Sequence, residues 1–108
     1  MPKTKLTDLT MTSGATPSQW EGKLDDGRFI YARYRHGHGA VYVAASVSEA
    51  IEKDEPLIEW PSREEYESWT RDDPRLWDGV LSTEELLEKL QTVDIDVSEV
   101  VVDESAAW

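Results

Sequence analysis

A chain of 108 residues with 23 acidic and 11 basic side chains, net charge −12 and no cysteine excludes several chemistries at once. Disulfides, thiolate metal centres and cysteine nucleophiles are ruled out, and no stretch approaches the roughly 20 apolar residues that cross a bilayer as a helix. The length sits near the commonest domain size and predicts one domain, over 18–102, built on a single modest core.

The first seventeen residues, MPKTKLTDLTMTSGATP, hold two lysines but no continuous apolar run, so they do not read as a signal peptide. Their Thr, Ser, Gly and Pro content predicts a flexible arm over 1–17. With neither leader nor membrane span, the expected location is the cytoplasm, and no membrane partner is expected. Gln19–Leu24 then predicts a first strand and Asp25-Asp26-Gly27 a tight turn, because glycine takes positive φ at little cost. Arg28–Arg35, rich in aromatic and β-branched residues, is the clearest strand in the chain. His36-Gly37-His38-Gly39 predicts a second turn and Ala40–Ala45 a third strand, completing a three-stranded antiparallel meander.

Ser48–Asp54 predicts a short helix capped by Ser48, with Ala50 and Ile51 facing inward, stopped by Pro56. Pro56–Trp60 reads as an edge strand, where proline is tolerated. Ser62-Arg63-Glu64-Glu65 and Ser82-Thr83-Glu84-Glu85 match helix-opening capping boxes. Tyr66 and Trp69 share a face of the first helix, which Asp73-Pro74 breaks. Leu86, Leu87 and Leu90 form the stripe of the second, with a Glu85–Lys89 pair beside it. Val93, Ile95 and Val97 alternate with polar residues as a half-buried strand, Val100–Val102 extends it or pairs beside it, and 103–108 reads as a tail. The expected class is α+β: a small antiparallel sheet, the meander plus one or two later strands, packed against two or three helices.

Charge divides the chain. Residues 1–45 hold six Lys and Arg against four Asp and Glu, whereas residues 46–108 hold five against nineteen. Alternation along 28–35 puts Arg28, Ile30, Ala32 and Tyr34 on one face and Phe29, Tyr31, Arg33 and Arg35 on the other. The second set is an aromatic–guanidinium ladder. It suits stacking on bases with arginine on phosphates, or a protein interface, where Tyr and Arg concentrate. The plainer alternative packs the arginine stems over Phe29 and Tyr31 and pairs their heads with the acidic half.

Catalytic signals are missing. No G-x-S-x-G elbow and no Gly-rich phosphate cradle occurs, and Asp25-Asp26, Glu64-Glu65 and Asp72-Asp73 mark turns or helix starts in an acid-rich chain. His36 and His38 are two imidazoles, too few for a metal without a further ligand. No catalytic residue, metal or cofactor is therefore assigned. Trp60, Trp69 and Trp77 fall within eighteen residues; at least two are expected in the core, and Trp77, in the 73–79 loop, is the candidate for exposure as a binding hot spot.

The string W-E-G-x-x-x-D-G-R-x-x-Y-x-R-Y-R, Trp20 to Arg35, resembles small uncharacterised bacterial and phage proteins with the same hairpin. The resemblance implies no activity and transfers no functional residue. Two functional expectations follow from the residues. The first is a small acidic, non-enzymatic interaction protein, an inhibitor, immunity or counter-defence factor that presents carboxylates to a basic protein partner. The second is nucleic-acid or nucleotide binding through the 28–35 strand. Phe29, Tyr31, Arg33 and Arg35, with His38 at the rim and Trp77, are the candidate binding residues. Net acidity counts against polyanions, and it also fits plain solubility or a salt-rich cytoplasm.

Overall fold

A computed structural model describes residues 4–14, 18–53, 55–70, 72–77 and 81–104, with only the backbone of Trp77. The fold is mixed α/β, a curled seven-stranded sheet with three helices. Strand β1 spans Thr4–Gly14, β2 Ser18–Leu24, β3 Phe29–Arg35 and β4 His38–Ala44. After helix α1, Val47–Glu52, come β5, Ile58–Trp60, and helix α2, Arg63–Ser68. A 3₁₀ turn at Pro74–Trp77 leads on to helix α3, Thr83–Gln91, then β6, Ile95–Asp96, and β7, Val101–Asp103. The sheet order is β5-β4-β3-β2-β1-β6, with β7 also on β1.

The expected arm is the largest correction. Residues 4–14 form the longest strand among the described residues, with Leu6, Leu9 and Met11 at 0%, 0% and 3% exposure. Two register shifts against β2, between Leu6 and Asp8 and between Met11 and Ser13, each put two residues opposite one. Such bulges insert an extra residue and break the period of two. Burial in β1 therefore falls at Leu6, Leu9, Met11 and Gly14, with spacings no strand template matches.

The sheet is not antiparallel throughout. Both β6 and β7 run parallel to β1, pairing Thr4 with Ile95 and Asp8 with Val101. The predicted 93–97 strand shrinks to Ile95–Asp96. Of the predicted tail, Asp103 lies in β7, Glu104 accepts a hydrogen bond from Thr83, and 105–108 lie outside the described residues. The predicted meander strands pair antiparallel in order as β2, β3 and β4, with shifted bounds, and β1 and β5 add to either side of them.

One side of the sheet makes the core. Trp20, Ile30, Ala32, Tyr34, Val41 and Val43 pack with Leu81, Leu86 and Leu90. The predicted Leu stripe thus lands inward, and Trp20 Nε1 donates to Thr83 Oγ1 at 3.1 Å to tie α3 to β2. Ser62 and Ser82 cap as predicted, each accepting from the backbone N–H three residues on at 3.2 Å. Helix α1 is capped by Ser46 rather than Ser48, because the Ser46 hydroxyl reaches the Glu49 N–H. Ala50 is fully buried while Ile51 is 53% exposed, against the expectation that both face inward.

Candidate functional site

The β3–β4 turn sets the site. His36 and Gly37 both have positive φ, 56° and 75°, the signature of a two-residue type I′ hairpin. The strand therefore resumes at His38, two residues earlier than predicted. This register places Tyr31 opposite Tyr42, Arg33 opposite Ala40 and Arg35 opposite His38. On the next strand Ala40 faces Glu59. All these side chains stand on the side of the sheet away from the core.

Tyr31, Arg33, Arg35, His38, Ala40 and Tyr42 line a cleft of about 280 Å³, walled by Ile51 of α1 and by Arg63 and Tyr66 of α2, with His36 at the turn. Ala40 is the small residue in its floor, flanked along β4 by Tyr42 and His38 and across the sheet by Arg33 and Glu59. The Tyr31 and Tyr42 rings stack at 6.4 Å between centroids. Burial pushes the Tyr31 phenol above its ordinary value, against the opposing pull of Arg33. Its hydroxyl accepts from Gln19 at 3.1 Å.

The opposite end is cationic. Arg33 and Arg35 are exposed and have no ion-pair partner among the described residues. Glu59 Oε2 accepts from both His38 Nε2 at 3.0 Å and Arg63 at 3.3 Å. No Asp or Glu is among the described residues that line the cleft. His36 Nδ1 lies 3.0 Å from the Leu76 carbonyl; a carbonyl only accepts, so Nδ1 carries the proton there.

A second layer holds this end in place. The His38 ring lies 4.7 Å from Tyr66, and Tyr66 meets Trp69 edge-on at 5.4 Å, so the predicted shared face of Tyr66 and Trp69 does pack. The Arg75 guanidinium sits 4.0 Å over the Trp69 ring, a cation–π contact. Asp73 holds Arg75 through two side-chain bonds, at 2.9 and 2.6 Å. Those bonds draw the Asp73 carboxyl down from 3.8 to about 2. A carboxyl whose folded value is depressed stabilises the fold above its unfolded value and loses that contribution as pH falls through the folded one. Asp73→Asn is therefore expected to be less stable than the native chain at pH 6. Urea midpoints measured at pH 6, 4, 3 and 2 should converge only between 4 and 2; a gap constant down to pH 2 would refute the clamp.

Of the six predicted binding residues, Tyr31, Arg33, Arg35 and His38 line the cleft. Phe29 does not; it sits half-buried at the far end of β3, beside Val47 and Lys23 in a separate shallow depression. The Trp77 side chain lies outside the described residues. Of Trp60, Trp69 and Trp77, at least two of which are expected in the core, Trp60 packs partly buried against it, with Lys89 5.7 Å over its ring in place of the predicted Glu85 pair, and Trp69 is not in the core cluster. Reading the residues alone missed Ala40, Tyr42, His36, Ile51, Arg63 and Tyr66 as cleft residues. Alternation about a two-residue His36-Gly37 turn would have found the first two. Among the described residues no group of three or more His, Asp and Glu could hold a metal ion, and no helix is long and apolar enough to cross a membrane. No protein-family model, curated protein or solved structure matches the chain.

Proposed function

We propose that the chain is a small non-enzymatic binding protein that captures a phosphate-bearing ligand in the cleft between β3, β4 and α2. One observation carries this reading: in a chain with twelve excess negative charges, Arg33 and Arg35 enter one cleft with Arg63 while neither has an ion-pair partner among the described residues. Carboxylates outnumber cations two to one, so exposed guanidiniums in this chain would ordinarily meet one. Several guanidiniums suit phosphate better than carboxylate, because one arginine fork already satisfies both carboxylate oxygens, whereas a phosphate offers a third acceptor.

The acidic exterior selects for small ligands. Glu64, Glu65 and Glu67 of α2 and Glu84, Glu85 and Glu88 of α3 are exposed. A nucleic-acid strand draws its affinity from many phosphates laid along a surface, and these carboxylates oppose that. A single phosphate group needs only the cleft, and charges beyond about 8–10 Å are largely screened at physiological salt.

Titration with inorganic phosphate, followed by amide shifts at low ionic strength, is expected to perturb β3, β4 and α2. Arg33→Ala/Arg35→Ala should bind at least about 100-fold more weakly, given roughly 1.5–3 kcal/mol for each charge-assisted hydrogen bond lost, and should stay folded because both side chains are exposed. No perturbation of the native chain at millimolar phosphate would end the proposal.

The same exposed glutamates favour a second reading, an acidic face that engages a basic protein partner. Such a complex should weaken steeply as salt rises, and an affinity indifferent to salt would exclude it.

A further inference from the structure

Resting on the phosphate reading, we infer that the ligand also carries a planar ring, as a nucleoside monophosphate does, and that Tyr42, Ile51 and Ala40 receive it. The cleft has two chemically different ends. Arg33, Arg35 and the His38–Glu59–Arg63 group make one end; the stacked Tyr31–Tyr42 pair and Ile51 make the other. Tyr42, Ala40 and His38 alternate along β4, so the floor runs two pairs of strand steps, about 13 Å. A lone phosphate would occupy only the cationic end.

Two observations point to a body that fills the rest. Ile51 is 53% exposed although its helix buries the neighbouring Ala50 completely, which leaves apolar surface facing the cleft mouth beside two tyrosines. Ala40 is the second: its methyl lies between Arg33 and Glu59, where a larger side chain would close the middle of the cleft. Tyrosine faces accept any base by stacking, whatever its sequence context. The volume of about 280 Å³ lies just below the usual range of ligand sites, roughly 300–1,000 Å³, which suits one small ligand.

The test is calorimetric titration of the full chain with inorganic phosphate, ribose 5-phosphate, adenosine, adenosine monophosphate and a single-stranded oligonucleotide, at one fixed low ionic strength. Adenosine monophosphate is expected to bind at least about fivefold more tightly than ribose 5-phosphate, the increment a stacked base supplies, and more tightly than adenosine. Ile51→Ser, a surface change that leaves the fold intact, should remove most of that increment while phosphate affinity stays the same. Ala40→Leu, which closes the middle of the cleft, should weaken nucleotide binding as well; if overpacking unfolds it, the Ile51→Ser arm decides alone. Equal binding of ribose 5-phosphate and the nucleotide would overturn the ring inference and leave the phosphate reading standing. An increment unchanged in folded Ile51→Ser would also overturn it, as would tighter binding of the oligonucleotide than of the mononucleotide. Failure of every phosphate compound to bind would overturn the phosphate reading itself.

Discussion

Leu9→Ala is expected to lower the unfolding free energy by about 2–5 kcal/mol, the range for emptying a fully buried leucine site. Leu9 has no solvent exposure and lies in the core cluster with Leu6, Met11 and Trp20, on a strand that pairs with β2 on one side and with β6 and β7 on the other. Small domains have about 5–15 kcal/mol in total, so the loss would be a large fraction of all the stability present. Thr12, exposed at the second bulge of the same strand, is the control. Its alanine variant should stay within about 0.5 kcal/mol, as surface substitutions do. Urea denaturation of the three proteins measures both. If Leu9→Ala also falls within about 0.5 kcal/mol, residues 4–14 are not part of the core and the sheet order is wrong.

Gly37→Ala should both destabilise the chain and weaken the cleft. At φ 75° an alanine pays about 1–2 kcal/mol for the left-handed backbone alone. Its Cβ would also clash with the Arg75 carbonyl oxygen and stand 2.9 Å from the Trp69 ring, so the backbone of the 3₁₀ turn has to retreat. That retreat pulls on the Leu76 carbonyl held by His36 and on the Trp69–Tyr66 contact behind His38. Gly27→Ala is the comparison: its φ is 90°, but a Cβ there meets nothing within 4 Å. The excess cost of Gly37→Ala over Gly27→Ala isolates the turn–loop contact. Equal costs in denaturation, with equal phosphate binding, would show that the contact does not support the site.

Much of the fold was legible. The Asp25-Asp26-Gly27 turn, the alternation of 28–35, two of the three helix caps and the Leu86/Leu90 stripe are local signals, and local chemistry decides them. The core face of β3 followed from period two alone. The errors share one cause. In β1 two bulges scrambled the period, and a Thr-rich segment with apolar residues three, two and three apart resembles a polar arm. Pairing with β2, β6 and β7 makes it a strand, and no residue inside 4–14 announces those partners. At α1, Ser46 and Ser48 are both competent caps, and packing of Ala50 on the sheet chose between them.

The candidate site divides the same way. Composition and alternation alone set Arg33, Arg35 and Tyr31 on one face of one strand and made that face basic in an acidic chain, because side-chain direction on a strand depends only on parity. Tertiary structure decided that this face becomes a cleft. The type I′ register brought Tyr42, Ala40 and His38 beside the ladder, α1 and α2 raised Ile51, Arg63 and Tyr66 around it, and Phe29 was left outside. The hairpin register is local to His36-Gly37, but where α1 and α2 dock depends on contacts between residues up to tens of positions apart, and such contacts are settled by packing rather than by any local pattern.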